Sequence, residues 1–341
     1  MCGASYQFLP TVRNLALAYA LAGADCIDVA ADLAVVAAAK EGLAVAETCA
    51  GSFAQHKENG YHRPLLMVSM SAGEDPHFRK AWFDPARCPA DCPRPCERVC
   101  PAVAIDETGV MRDRCYGCGR CLPICPLGLI EAQSIPTTLD VIAQSILTQV
   151  DALEIHTHVG QLESFEHLWR TINPWMGHLQ LVSVSCPDSD GLIDYLRSLQ
   201  RVMKLPSQSA GPALIWQTDG RPMSGDIGKG TTHQAVRLAQ KVLSAGLPGY
   251  VQLAGGTNEH TVPKLFERGL LHRPNVDSTG ALAASGAVSG IAYGSFARRL
   301  LMTALEQNYY LEEVPQALQE AVALAKSLVL PLKQAVNKNV K

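Results

Sequence analysis

Four cysteines within the segment RCYGCGRCLPICP, from Arg114 to Pro126, constrain this chain more than any other feature. The chain has 12 cysteines in 341 residues, and eight of them lie between Cys88 and Cys125. A disulfide framework would spread its bridges across the fold, whereas a metal site gathers thiolates locally. The clustering therefore predicts a metal-binding module in the middle of the chain. The remaining cysteines are scattered, at Cys2, Cys26, Cys49 and Cys186.

The second cysteine run predicts an iron–sulfur cluster. Its spacing is C-x2-C-x2-C-x3-C-P, at Cys115, Cys118, Cys121 and Cys125. Bacterial ferredoxins carry this run, in which three thiolates hold one cluster and the fourth cysteine ligates another. Gly117 and Gly119 let the backbone approach the sulfides. The alternative, a zinc ribbon, needs two C-x2-C pairs separated by a longer loop, which this run lacks.

The first run is less regular. It reads C-x3-C-x3-C-x3-C-P, at Cys88, Cys92, Cys96 and Cys100. With the connector AVAIDETGVMRDR that follows it, this run resembles the hairpin of two-cluster ferredoxins. The resemblance implies two clusters. Their ligands would be Cys100, Cys115, Cys118 and Cys121 for one [4Fe–4S] cluster, and Cys125 with residues of the first run for the other.

The type of the second cluster is left open. Cys88 and Cys96 also match the C-x7-C-x3-C-P spacing of seven-iron ferredoxins, in which one site is [3Fe–4S]. Under that interpretation Cys92 is spare or only conditionally bound. The second cluster is therefore [4Fe–4S] or [3Fe–4S], and we expect it to be the more oxidant-sensitive of the two.

Outside the cysteine runs, short apolar segments alternate with helix-length amphipathic ones, a rhythm typical of α/β proteins with a parallel sheet. Predicted strands are Asp25–Ala30, Leu65–Ser69, Leu153–Thr157, Leu179–Ser183, Ala213–Gln217, Tyr250–Leu253 and Gly290–Tyr293. Predicted helices include Leu139–Val150, Leu192–Lys204, His233–Ala245 and Phe296–Glu306. A short strand at Cys2–Ser5 brings the number to eight, which closes a (β/α)8 TIM-like barrel. A doubly wound open sheet is the alternative, and the brevity of the first strand suggests a truncated or misplaced start.

The cysteine runs interrupt this rhythm after the third predicted strand. The predicted division is the first part of the barrel (1–84), a ferredoxin-like insert (85–134), the remainder of the barrel (135–310) and a C-terminal helical tail (311–341). Loops that follow barrel strands lie at the C-terminal face, beside any ligand. The clusters are therefore expected over the mouth of the barrel, in an insert that unfolds without iron.

Small residues follow the last two predicted strands. Gly255 and Gly256 end one in YVQLAGGTNEHT, and Gly294 and Ser295 end the other in GIAYGS. Exposed backbone N–H groups at these places bind phosphate in barrels that hold FMN or sugar phosphates, although a tight turn alone explains paired glycines equally well. The loop QTDGRPMSGDIGKGTTHQA resembles ligand-covering loops of dihydroorotate dehydrogenase-like flavin barrels. FMN is therefore a candidate cofactor.

Composition excludes several classes of function. The formal net charge of −3 gives no electrostatic basis for binding nucleic acid or anionic membranes. No apolar run reaches the roughly 18 to 20 residues that span a bilayer. The first residues, MCGASYQFLP, have neither the basic nor the apolar region of a signal peptide. The sequence predicts a soluble, cytoplasmic protein.

Some polar residues and thiols carry weaker signals. Glu154, His156 and His158 alternate along one predicted strand, so they share a face. They could hold a divalent metal, or they could simply line the upper layer of the barrel, which is the more common situation. Cys2 and Cys186 each follow a strand and are expected to be buried small residues rather than nucleophiles.

Three segments together resemble one family. They are CGASYQFLPTVRNLALAYALAGADCIDVAAD, the insert CPRPCERVCPAVAI…RCYGCGRCLPICP, and QTDGRPMSGDIGKGTT…YVQLAGGTNEHT. With them, nearly the whole chain resembles the cyanobacterial light-dependent period (LdpA) family. That resemblance implies an iron–sulfur redox sensor of circadian clock input, which lets photosynthetic redox state adjust the clock period. It also implies clock input proteins as partners, including the histidine kinase CikA.

Two functions of different class follow. The first is redox sensing and electron transfer through the clusters, with an acidic electron-carrier protein as a further partner. That partner would dock on the basic residues near the cysteines, Arg87, Arg94, Arg98, Arg112, Arg114 and Arg120, unless these are a solvated face. The second is an FMN-dependent oxidoreductase that receives electrons through the insert. Its only candidates for a catalytic acid or base are the guesses Lys229 and His260.

Overall fold

The computed structural model of the chain describes residues 6–53, 60–74, 78–134, 144–205, 211–221, 230–271, 286–305 and 308–338. These residues form eleven strands. In chain order they are β1 (Cys26–Ala30), β2 (Leu65–Ser71), β3 (Arg79–Trp82), β4 (Ile105–Asp106), β5 (Gly109–Val110), β6 (Glu131–Ser134), β7 (Ala152–His156), β8 (Leu181–Pro187), β9 (Ala213–Asp219), β10 (Tyr250–Ala254) and β11 (Gly290–Ile291).

Helices follow most of the parallel strands. They are α1 (Leu9–Leu21), α2 (Leu33–Cys49), α3 (Pro95–Val99), α4 (Leu162–Ile172), α5 (Leu192–Met203), α6 (Thr232–Ser244), α7 (Thr261–Glu267), α8 (Ser295–Leu305) and α9 (Pro315–Lys338). Of the predicted helix Leu139–Val150, residues 139–143 lie outside the described residues, residues 144–147 are helical and a turn follows them. No helix that the structure describes is both long and apolar enough to cross a membrane.

The predicted closed eight-stranded TIM-like barrel is wrong. The structure has a half-barrel of seven parallel strands in the order β1-β2-β7-β8-β9-β10-β11. Within the described residues β1 and β11 are edge strands and do not pair with each other. The predicted first strand, Cys2–Ser5, lies outside the described residues. The doubly wound alternative is not observed either, because strand order follows chain order without a reversal.

The sequence pattern could not distinguish a closed barrel from an open sheet, and the reason is physical. Repeated βα units give the same alternation of apolar and amphipathic segments whether the sheet closes or stays open. Closure depends on hydrogen bonds between the first and last strands, which no local pattern encodes. The last strand is also shorter than expected, since Gly290–Ile291 replaces the predicted Gly290–Tyr293.

The cysteine insert, residues 85–134, leaves the sheet after β2 and returns before β7. An antiparallel pair, β3 with β6, joins the chain where it enters and leaves, with Trp82 opposite Glu131. Inside the insert, β4 and β5 form a small antiparallel hairpin between the two cysteine runs. The half-barrel and the insert thus meet at the carboxyl end of β2, which is the end where ligands of parallel sheets bind.

Helix α1 is buried along nearly its whole length and ties together both ends of the chain. Arg13 donates to Glu41 Oε1 at 2.6 Å and to Glu312 Oε2 at 2.9 Å. These contacts hold the segment that leads into α9. Near its end, α9 returns to the sheet, where Lys333 Nζ lies 2.6 Å from Asp25 Oδ1 at the start of β1.

Candidate functional site

The eight cysteines of the insert separate into two groups of four. Members of each group interact electrostatically with one another. The first group is Cys100, Cys115, Cys118 and Cys121. The second is Cys88, Cys92, Cys96 and Cys125. Cysteines far apart in sequence, such as Cys100 and Cys118, are therefore neighbours in space.

The first group surrounds a small closed cavity whose wall also includes Ala81 and Ile105. Backbone N–H groups point at two of its sulfurs, from Ala81 to Cys115 Sγ at 3.4 Å and from Ala104 to Cys100 Sγ at 3.3 Å. Such donors stabilise thiolates and the sulfur atoms of a bound cluster.

The backbone conformation around this cavity explains two glycines of the second run. Gly117 has φ of 73° and Gly119 has φ of 70°, both in the left-handed region that favours glycine. The chain can therefore turn between consecutive cysteines and present Cys115, Cys118 and Cys121 to the same space.

Burial keeps several of these thiols protonated in the absence of a positive partner. It raises the pKa of Cys118 above its ordinary value and raises that of Cys121 to about 12. Burial also raises the pKa of Cys100. A buried thiol ionises readily only when a cation compensates its charge, and iron provides that compensation.

The second group lies nearer the surface of the insert. Burial raises the pKa values of Cys88 and Cys96, and the neighbouring Cys92 raises that of Cys88 further. For Cys125, burial is outweighed by backbone N–H groups, foremost that of Leu129, whose nitrogen lies 3.4 Å from the sulfur. The pKa of Cys125 is consequently lower than usual.

The donor set suits a cluster better than a lone ion. Among the described residues, no three His, Cys, Asp or Glu side chains converge closely enough to hold one metal ion. In a cluster, each thiolate binds a different iron, so the sulfurs need to surround a space rather than meet at a point. Four cysteines around one closed cavity, with amides aimed at their sulfurs, meet that requirement.

A buried lysine beneath the first group escaped the sequence analysis. Lys80 in β3 is 2% exposed, and its Nζ donates to Gln7 Oε1 at 2.5 Å and to the carbonyl oxygen of Arg112. Burial lowers the pKa of Lys80, while the nearby Cys115 favours its charged form. Only the structure reveals it, since the sequence RKAW around it carries no motif.

A second cavity, of about 430 Å³, runs along the concave side of the half-barrel. We call it the half-barrel cavity. Its volume is typical of pockets for small organic ligands. Alternate residues of the strands face into it and form a polar layer, which consists of Asp28, Glu154, His156, Ser185, Gln217 and Gln252.

Hydrogen bonds join this polar layer across strands β7, β9 and β10. Gln252 Nε2 donates to Gln217 Oε1 at 2.7 Å, and Gln217 Nε2 in turn donates to Glu154. His156 Nε2 lies 3.0 Å from Glu154 Oε1. Ser69 Oγ donates to Asp28 Oδ1 at 2.7 Å. The layer thus presents carboxyl and amide groups toward the cavity.

Asp28 has the most unusual ionisation in this layer. Burial, together with repulsion from Glu154, raises its pKa to about 7. The hydroxyl of Ser69 and the imidazole of His156 oppose the shift but do not cancel it. When two carboxyl groups share a desolvated space, their negative charges repel, so the pKa of one of them rises.

The predicted phosphate residues all lie at one end of the half-barrel cavity, but packing accounts for two of them. A Cβ at Gly255 would lie 1.8 Å from Asp219 Oδ1, and a Cβ at Gly256 would lie 3.0 Å from the Cβ of Thr231. Both glycines also have positive φ. Their side chains are absent because the loops of β9 and β10 meet there.

Gly294 and Ser295 have different surroundings. A Cβ on Gly294 would have no atom within 4 Å, so its backbone borders open space. Ser295 begins α8, and its Oγ accepts a hydrogen bond from Arg298 Nη2 at 3.1 Å. Arg298 is 6% exposed and lines the cavity together with Arg221. This end of the cavity therefore carries two guanidinium groups, with the carboxyl group of Asp219 also in its wall.

Tyr116 belongs to both cavities. It follows Cys115 directly, and it lines the closed cavity of the first cysteine group and the half-barrel cavity alike. The guanidinium carbon of Arg298 lies 4.2 Å from the centre of its ring, a cation–π distance. One aromatic side chain thus separates the cysteine site from Arg298 in the half-barrel cavity.

The other predicted residues are dispersed. Glu154 and His156 line the half-barrel cavity, whereas His158 Nδ1 bonds the carbonyl oxygen of Val159 at 2.9 Å. His260 is exposed and Cys186 is buried. The remaining two candidates, Cys2 and Lys229, lie outside the described residues.

The six arginines do not form one uniform basic face. Arg94 pairs with Glu97 at 3.0 Å, Arg114 packs on the ring of Phe8, and Arg120 is partly buried. The exposed members are Arg87, Arg98 and Arg112. Only these three remain fully available to a partner.

Comparison with known proteins gives three matches. Residues 88–136 match the family model "LdpA Fe-S cluster-binding domain", and residues 145–331 match "Light dependent period A C-terminal domain". The protein "Light dependent period A" of Synechococcus elongatus is 55% identical over 341 residues, an alignment that covers 98% of this chain and 91% of that protein. The first model contains all eight cysteines of the insert.

Proposed function

Because this chain belongs to the light dependent period A family and carries its iron–sulfur cluster-binding domain, we propose that it is a redox sensor. It conveys the redox state of photosynthetic electron transport to the circadian clock and so adjusts the period to light. The observation that carries the proposal is the gathering of Cys100, Cys115, Cys118 and Cys121 around one closed cavity.

We assign the eight cysteines as ligands of two clusters. The first group holds a [4Fe–4S] cluster, and the second holds a [4Fe–4S] or [3Fe–4S] cluster. A cluster supplies reversible one-electron chemistry over a wide range of potentials, set by its surroundings. Within this chain the backbone amides of Ala81 and Ala104 favour additional negative charge at the first group.

Partners follow from the family and from the surface. The family favours clock input proteins, such as the histidine kinase CikA, as receivers of the signal. The three exposed arginines of the insert, Arg87, Arg98 and Arg112, favour an acidic electron-carrier protein as the donor. Rim charges of this kind raise association rates more than they raise affinity.

The test combines spectroscopy and the clock. Cys118→Ser removes one ligand of the first group, while Cys49→Ser changes a half-buried thiol of α2 outside the insert. Both proteins are purified anaerobically and compared with the unchanged chain by iron content and electron paramagnetic resonance. We expect Cys118→Ser to lose the signal of the first cluster and Cys49→Ser to keep it.

The same variants then replace the family member in a cyanobacterium, whose period is recorded at low and high light. We expect the period to respond to light with the unchanged chain and with Cys49→Ser, but not with Cys118→Ser. A normal light response in a strain whose protein has lost this cluster would contradict redox sensing.

A second candidate function is an FMN-dependent oxidoreductase. The half-barrel cavity favours it, because its volume is about 430 Å³ and its wall includes Gly255, Gly256, Gly294 and Ser295 as a phosphate site. Release and assay of flavin from the purified protein tests it. One FMN per chain, with turnover of a reduced carrier, would favour the enzyme over the sensor.

A further inference from the structure

The half-barrel cavity brings together groups that proteins rarely bury beside empty space. Its wall contains the carboxyl side chains of Asp25, Asp28, Glu154 and Asp219 together with the cationic side chains of Arg221, Arg298 and Lys333. Interiors are normally packed to the density of organic crystals, and burying charged groups is costly. A cavity of about 430 Å³ with such a lining is better explained by an exchangeable ligand than by defective packing.

The two ends of the cavity differ in chemistry. At one end, Arg298 lies one helical turn after the open backbone of Gly294, while Arg221 and Asp219 lie beside Gly255. A guanidinium next to open backbone suits the several oxygens of a phosphate. In the polar layer, Glu154 and Gln217 offer carboxylate and amide groups. Such groups recognise the N–H and C=O edge of a planar heterocycle.

We propose that the half-barrel cavity binds a phosphorylated heterocycle with ring N–H donors, its phosphate on Arg298, and that Tyr116 couples this binding to the first cysteine group. The coupling rests on the proposed iron–sulfur site, whereas the binding does not. Tyr116 is the physical link, because its ring forms a wall of both cavities and lies against the guanidinium of Arg298. A phosphate that draws Arg298 changes the contact on Tyr116, next to Cys115.

Binding is measured by calorimetry on the full chain, purified anaerobically. The probes are two pairs, GMP with guanosine and FMN with riboflavin, which share the ring chemistry within each pair and differ in the phosphate. We expect one phosphorylated compound to bind at least tenfold more tightly than its unphosphorylated partner. The pair that binds identifies the source, a free nucleotide or a flavin. No binding by any probe, or equal affinities within both pairs, would overturn the proposal.

A matched pair of arginine variants locates the phosphate. Arg298→Gln should remove the tenfold preference, while Arg299→Gln, the same change at the next and exposed residue of α8, should preserve it. If Arg298→Gln fails to fold, the comparison within each probe pair still decides the matter on the unchanged chain. Loss of the preference in both variants would argue against a specific phosphate contact.

Coupling is read from the paramagnetic resonance spectrum of the reduced protein, with and without the compound that binds. We expect the ligand to shift the spectrum in the unchanged chain and in Tyr116→Phe, which keeps the ring, but not in Tyr116→Leu. A spectrum that stays the same when the ligand binds would overturn the coupling. A protein without iron would instead defeat the proposed function, while the calorimetric result would stand unaffected.

Discussion

Asp28 shows how strongly one residue depends on the strands around it. It stands in β1, yet its ionisation is set mainly by burial and by Glu154 of β7. A carboxyl group with a raised pKa favours the folded state while it is protonated. Its contribution is complete below the pKa of the unfolded chain and is lost as pH rises through about 7.

The first prediction concerns the variant Asp28→Asn. Its amide stays neutral and still accepts the hydrogen bond from Ser69, so the loss of stability between about pH 4 and 7 should disappear. We expect the variant to exceed the unchanged chain in free energy of unfolding at pH 8 by about 1 to 4 kcal/mol, and by much less near pH 4, because each pKa unit corresponds to about 1.4 kcal/mol. Urea unfolding under anaerobic conditions at both pH values measures this. A constant difference at both would contradict the assigned shift.

At the scale of elements, α1 acts as a clamp between α2 and the segment that leads into α9. Arg13 joins it to α2 through Glu41 and to the segment before α9 through Glu312. Asn14 adds a hydrogen bond from its Nδ2 to the carbonyl oxygen of Asn308 at 2.9 Å. The arginine lowers the pKa of Glu312, which is the expected effect of an ion pair within a partly buried site.

The second prediction is that Arg13→Met destabilises the protein by about 3 kcal/mol, because it leaves a partly buried Glu312 without its cation. Glu41→Gln is the control, since Glu41 is the more exposed partner and should cost less than about 1 kcal/mol. Denaturant unfolding of both variants checks the order. Equal losses would show that the helix contact, rather than the ion pair, dominates.

Local elements could be predicted well from the sequence, but their closure could not. The strand β9 begins at the predicted Ala213 and the helix α5 at the predicted Leu192, because alternation and amphipathicity are properties of neighbouring residues. Whether β1 meets β11 depends on residues at opposite ends of the chain. The closed barrel was wrong for that reason.

The candidate site shows the same difference between local features, which the sequence indicates, and long-range contacts, which it does not. Cysteine spacing is local, so the sequence alone predicted that the second run would gather, while the resemblance to two-cluster ferredoxins predicted Cys100 with it. The contact of Tyr116 with Arg298 joins the insert to α8, and no spacing of residues indicates it. Lys80 likewise became visible only through its burial. Gly255 and Gly256 do line the half-barrel cavity, and packing already accounts for their lack of side chains.

At the scale of the whole molecule, the insert docks against the half-barrel through several contacts. Gln7 N donates to the carbonyl oxygen of Asp113 at 2.9 Å, and Lys80 reaches both Gln7 and Arg112. Yet the insert has only short strands and one short helix of its own, whereas the half-barrel has an extensive apolar core. The two parts should respond differently to loss of metal.

The third prediction is that anaerobic removal of iron by a chelator unfolds the insert while the half-barrel persists, because metal binding supplies folding free energy to such modules. Limited proteolysis should then cleave between residues 85 and 130 at least tenfold faster, and circular dichroism should retain most of the helical signal. Restoring iron and sulfide should restore protection. Identical cleavage with and without iron would show that the insert folds by itself.

The position of the insert between β2 and β7 has a consequence for how the protein is made. These two strands pair directly, but the ribosome must complete the whole insert before the second of them exists. Closing so long a flexible loop costs conformational entropy. An insert that has already folded around iron shortens the flexible part of this loop. The supply of iron during synthesis would then set how fast the sheet assembles, so that an iron-starved cell accumulates less of the finished protein from the same messenger RNA.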